Sequence, residues 1–115
     1  MVIIMSKTHK HIYSKYSRDA ALLLGLYIQA ARKEKKMTAA DMASRAGISR
    51  GTLYKIEHGN LHCELGIVFE VAAIAGILLF EMSSVNLSMQ VANMESKLHL
   101  LPKRIQVSKD FDDNF

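Results

Sequence analysis

The chain of 115 residues contains one cysteine, one proline and no tryptophan. Cys63 has no partner within the chain, so no internal disulfide can form, as expected for a reducing cytoplasm. Long apolar runs are also missing. Near the start, Val2-Ile3-Ile4 is too short for the apolar segment of a signal peptide. The richest run, Val71 to Phe80, lies between Glu70 and Glu81 and is too short to span a bilayer. A cytoplasmic location and no membrane partner are therefore expected. No repeat or low-complexity tract is present.

Catalytic and ligand signatures are absent as well. No nucleophile and base stand at recognisable spacing, and no Gly-rich phosphate loop occurs, so no catalytic residue and no cofactor is expected. His58, His62 and Cys63 bring metal ligation to mind, because His-x₃-His can chelate on a helix. Gly59 breaks the helix between them and no fourth ligand is evident, so no metal is expected. A loop histidine near a phosphate is the better use of His62.

Charge is plentiful but unevenly placed. The net charge is +4, with 15 Lys+Arg against 11 Asp+Glu. Residues 1–58 hold 11 basic and 4 acidic residues, whereas residues 59–115 hold 4 and 7. A basic half suits a polyphosphate partner through counterion release, although a solvated basic face would read the same way.

The stretch Thr38 to Gly59, TAADMASRAGISRGTLYKIEHG, explains that half. Thr38 is a good helix N-cap, and Asp41 three residues on can complete a capping box. Met42, Ala43 and Ala46 share a helical face, and Gly47 can close the helix in the left-handed region. Ile48 fills the turn and Ser49 caps a second helix. Leu53 and Ile56 face inward there, and Gly59 ends it. Two short amphipathic helices around a Gly turn make a helix-turn-helix, the second helix being the candidate for the major groove.

Elsewhere the spacing predicts more helices. Ser17 can cap one over Arg18–Lys35, with Asp19 against the N-terminal dipole and Leu24, Ile28 and Ala31 inward. Leu22 and Leu26 lie off that stripe and call for cover by another segment or subunit. The cations Arg32, Lys33, Lys35 and Lys36 suit the C-terminal dipole, and Lys36 can also reach a phosphate. A fourth helix is expected over 64–75, with Leu65, Val68, Phe69, Ala72 and Ile74 in the core. Gly76 breaks it, and a short fifth helix runs from Ile77 to Met82. Residues 85–101 carry two patterns. Val85, Leu87, Met89 and Val91 alternate like a strand, while Leu87, Val91, Met94, Leu98 and Leu101 form a helical stripe. Length and good helix formers favour a sixth helix, ended by Pro102. Its apolar edge, Leu87, Val91, Met94 and Leu98, is assigned to a homodimer interface, with packing inside the chain as the alternative. The expected division is a flexible basic arm (1–17), the DNA-binding domain (18–82), the dimerisation helix (83–101) and a disordered acidic tail (102–115).

Ala43, Gly47, Ile48, Leu53, Ile56 and Glu57 to Gly59 match the spacing of the Cro/phage-repressor (XRE) helix-turn-helix family, which the chain resembles over about residues 20–82. Leu24 to Met37 is similar to that family's first helix, with Arg32 where an arginine pairs with Glu57. The resemblance implies an all-α, lambda-repressor-like five-helix domain, here with an additional C-terminal helix and flexible termini. It implies a dimeric, sequence-specific binder of a palindromic double-stranded DNA operator. Carried across, base reading falls on Arg50, Gly51 and Lys55, with Ser49 and Tyr54 as neighbours able to contribute. Thr52 and Thr38 are placed for phosphate contacts, alongside Lys36 and His62. Arg50 suits guanine O6 and N7. Gly51 has no side chain to read with, and Ala39 departs from the glutamine usual there, which leaves part of the readout to DNA shape.

Tyr16 to Gly25, Glu64 to Glu81, Leu100 to Arg104 and the closing Asp112-Asp113-Asn114-Phe115 are similar to a subgroup, the HipB-like regulators. That resemblance implies an antitoxin that represses its own operon and binds a HipA-like kinase toxin. The alternatives are a prophage or plasmid repressor without a toxin, and a degenerate helix-turn-helix serving only protein contacts.

Overall fold

The structure, a computed structural model, describes residues 12–105. All regular structure among them is helical: α1 (Lys15–Glu34), α2 (Ala39–Ala46), α3 (Arg50–Glu57), α4 (Leu65–Ile74), one 3₁₀ turn (Leu79–Glu81) and α5 (Ser84–Leu100). The chain divides into two compact units between Leu79 and Phe80. Most of the expected arm and tail lies outside the described residues, but residues 15–17 of that arm are already the first turn of α1.

In the first unit α1 starts one turn earlier than expected. Its N-cap is Ser14, whose side chain accepts the backbone N–H of Ser17, so Ser17 is inside the helix rather than its cap. Asp19 then falls at the position four after Lys15 and pairs with it at 2.7 Å. Thr38 and Ser49 cap α2 and α3 as expected, each accepting a backbone N–H three residues on at 3.0 Å. Asp41 does not close a capping box but turns forward to Arg45, 3.4 Å away.

All four helices among the described residues of this unit end the same way. The residue in the left-handed region bonds back three positions and its successor bonds back five, the arrangement of a Schellman cap. The pairs are Lys36–Met37, Gly47–Ile48, Gly59–Asn60 and Gly76–Ile77. Three of the left-handed residues are glycine, which meets no Cβ penalty there; the first is Lys36, at φ 56°.

The core consists of Ile28, Met42, Ala43, Leu53, Ile56, Val71, Ala72 and Ala75. The inward faces expected for α1, α2 and α3 are there, but that of α4 is rotated. Leu65 and Phe69, expected in the core, are exposed, and Val68 and Ile74 are half-buried. Val71 takes the inner place together with the small residues Ala72 and Ala75. Gly76 closes α4, and the expected helix from Ile77 to Met82 shrinks to the 3₁₀ turn, interrupted by Phe80 at φ 58° and Glu81 at φ 55°.

In the second unit Ser83 caps α5 by accepting the N–H of Asn86 at 3.3 Å. Residues 84–100 are helix, not strand. No residue of α5 is buried. Along one side Phe80, Met82, Leu87, Val91, Met94 and Leu98 line an open apolar groove of about 440 Å³.

Candidate nucleic-acid interface

The turn Gly47-Ile48-Ser49 joins α2 to α3, and the N-caps of the two helices, Thr38 and Ser49, are both exposed. Ser49 holds the start of α3: its Oγ accepts from the Thr52 N–H and lies 3.0 Å from Thr52 Oγ1. These two hydroxyls are committed to each other; Ser49 is exposed and Thr52 is half-buried. Arg50, the first residue of α3, is exposed, as is Lys55, and neither makes an ion pair within the described residues. Tyr54, one turn after Arg50, is 62% exposed.

Arg50 and Tyr54 line one open surface depression of about 580 Å³ together with Gln29 of α1, Ala39 of α2, Gly51 and His58. Ala39, with a single methyl group, and Gly51, with no side chain, add little bulk to it. A Cβ built at Gly51 would meet nothing nearer than Ser49 Oγ at 3.8 Å. Lys55 lies outside this lining, as do Ser49, Thr52, Thr38, Lys36 and His62. Thr38 and Lys36 are exposed, on either side of Met37 at the α1–α2 junction. His62 is exposed in the loop after α3, where its N–H donates to Asn60 Oδ1 at 2.7 Å and its ring meets Tyr13 edge-on at 5.6 Å.

Beneath the depression Arg32 fixes α1 to α3. Its Nε and Nη2 donate to Glu57 Oε2 and Oε1 at 2.7 and 3.0 Å, and Nη1 donates to the Met37 carbonyl at 3.0 Å. Both residues are buried. The hydrogen bonds that Arg32 donates to Glu57, helped by the carboxylate's charge, hold the guanidinium above its ordinary pKa despite the opposing effect of burial. The predicted structural pair is thus present, with a third bond that also anchors the segment leading into Thr38.

Two residues of this region escape a pattern-based reading. Gly25 is buried where α1 crosses the end of α3: a Cβ there would lie 2.5 Å from the Ile56 carbonyl oxygen. A lone glycine in a helical stretch is the one signal available for such an approach. His58, considered above only as a metal ligand, stacks on Tyr54 with ring centroids 3.8 Å apart; its place four residues after an aromatic is the signal. No cluster of three metal-ligating side chains occurs among the described residues, and none of their helices is long and apolar enough to cross a membrane.

Residues 28–77 match the family model HTH_3, helix-turn-helix, over less than half of the chain. The match supports an XRE-type helix-turn-helix regulator and points to a DNA-binding regulator of transcription rather than an enzyme. No curated protein and no solved structure matches the chain.

Proposed function

We propose that this helix-turn-helix protein is a sequence-specific transcriptional repressor that binds a palindromic operator as a homodimer. The observation that carries the reading is the exposed face of α3, which begins at a capped N-terminus and presents unpaired Arg50, exposed Tyr54 and unpaired Lys55. Arg50 reads a guanine, Lys55 and Tyr54 extend the contact, and the Ser49 hydroxyl lies beside them. Thr38, Thr52, Lys36 and His62 hold phosphates, which set the register of the helix in the groove. With Gly51 and Ala39 contributing no polar group, DNA shape supplies the rest of the specificity.

The homodimer is assigned to α5. Leu87, Val91, Met94 and Leu98 recur at alternating steps of four and three along an exposed face, the spacing by which helices pair. A two-fold protein also accounts for a two-fold operator. We further assign the chain to the HipB-like antitoxins, with a HipA-like kinase as toxin partner. The uncovered apolar residues Leu22, Leu23, Leu26 and Tyr27 of α1, 44–55% exposed, support a protein partner on that helix.

A salt series tests the core of this reading, using duplex from upstream of the protein's own gene against a scrambled duplex. Preference for the native sequence, with affinity falling steeply as salt rises, is expected. Equal and weak binding to both would sink it.

A further inference from the structure

The DNA reading leaves one polar atom of the α3 face unassigned. His58 stands at the end of that helix with its ring stacked on Tyr54 at 3.8 Å between centroids and 21° between planes. Its Nδ1 is 2.7 Å from the Tyr54 carbonyl oxygen. A carbonyl oxygen can only accept, so Nδ1 carries a hydrogen and donates it. The same carbonyl takes the His58 backbone N–H at 3.0 Å. Stack and hydrogen bond together fix the ring, leaving Nε2 as its free polar atom.

In the neutral ring, with Nδ1 protonated, Nε2 is an acceptor and cannot bond to a phosphate oxygen, itself an acceptor. Protonated, Nε2–H donates, and the cation lies against the electron-rich face of Tyr54. Histidine is the side chain that ordinarily makes this change between pH 5 and 8. The groups around it supply no competing anion. On its own helix Arg50, Tyr54 and Glu57 share the depression with it, and Glu57 is bound twice by Arg32. From α1 come Gln29 and Arg32, and from α2 only Ala39.

We propose that His58, held on Tyr54, is a phosphate contact of the DNA-binding face that engages in its protonated form, so that binding takes up a proton. This rests on the DNA-binding function proposed above. Because the contact is to the backbone, it operates on any duplex, with or without the operator.

The test is binding of the full-length protein to a random-sequence duplex at pH 6 and pH 8, at one fixed low ionic strength. Wild type is compared with His58→Gln and His58→Arg, each first checked for unchanged helical circular dichroism. Wild-type affinity is expected to drop severalfold between pH 6 and pH 8, as the neutral ring loses the donor at Nε2. His58→Gln should lack that drop and resemble wild type at pH 8. His58→Arg, a planar cation that still stacks on Tyr54, should bind tightly at both pH values. A drop in His58→Gln as large as in wild type would overturn the proposal, as would a wild-type affinity independent of pH. Failure of every form to bind DNA at pH 6 would instead remove the DNA reading itself and this contact with it.

Discussion

Arg32 and Glu57 meet as a two-pronged ion pair, Nε to Oε2 at 2.7 Å and Nη2 to Oε1 at 3.0 Å, with both side chains buried. The third arm of the guanidinium holds the Met37 carbonyl, so one side chain ties α1, the end of α3 and the approach to Thr38 together. Removing one partner leaves the other as an uncompensated buried charge. Glu57→Ala should therefore destabilise the protein by about 3–5 kcal/mol, read as a lower urea midpoint. Replacing both residues with apolar ones of similar size should be less harmful than Glu57→Ala alone. A double variant as unstable as the single one would mean that charge burial is not what sets the loss.

Gly25 and Gly51 make a matched contrast, since both are helical glycines and only one lacks room. At Gly25 a Cβ would lie 2.5 and 2.7 Å from the carbonyl oxygens of Ile56 and Glu57, backbone atoms that cannot step aside singly. Gly25→Ala is expected to cost at least the ~1–3 kcal/mol of an overpacked core, and a thermal melt should show it. At Gly51 the same methyl group meets open space. Gly51→Ala should stabilise by roughly 0.5–1 kcal/mol, the helix preference of alanine over glycine. Equal responses at the two sites would refute the close crossing at Gly25.

Much of this architecture was readable from residues whose local role admits one solution. Thr38 and Ser49 as caps, Gly47, Gly59 and Gly76 as helix ends, and the inward faces of α2 and α3 follow from short-range chemistry. The face of α4 was not readable, because LGIVFEVAAI is apolar almost all round and its own pattern carries no phase. Which side goes inward is set by neighbouring helices, which cover Val71, Ala72 and Ala75 and leave Leu65 exposed. At the start of α1, Ser14 and Ser17 are both competent caps three residues apart, and the structure uses the first. Within the candidate interface, the exposure of Arg50 and Tyr54 follows from their positions on the helix. The stacking of His58 on Tyr54 does not, because it needs the actual ring orientation.

Arg50→Ala probes the placement of α3 directly. Arg50 is exposed, so the protein should fold and dimerise as before. Loss of a bidentate guanine contact should weaken operator binding by about 1–3 kcal/mol and relax the base preference at one position per half-site. Competition with duplexes varied one base pair at a time would reveal which position is released. An unchanged base preference at every position would place the reading helix elsewhere.

The stripe on α5 predicts a separable defect. Val91→Asp together with Leu98→Asp places charges in the groove that Leu87 and Met94 also line. Light scattering after size-exclusion chromatography should report a monomer, and circular dichroism should remain helical. Operator affinity should fall because two half-sites are then bound independently, without the gain from linkage. A variant that still ran as a dimer would move the interface away from α5.

Lys36 sets stability against binding at one position. It occupies the left-handed place of a helix end, φ 56°, where α2, α3 and α4 use glycine at φ 70°, 78° and 83°. An ordinary side chain in that region costs about 1–2 kcal/mol. Lys36→Gly should therefore raise the urea midpoint, since the new residue adopts the turn without strain and Lys36 makes no ion pair among the described residues. The same change removes a cation next to the segment that leads into Thr38. If Lys36 holds a phosphate, DNA affinity should fall for operator and scrambled duplex alike, and the salt dependence should become shallower by about one unit. A stabilised protein with undiminished affinity would take Lys36 out of the interface. Reduced affinity with the operator preference intact would show that a strained backbone position here serves phosphate binding.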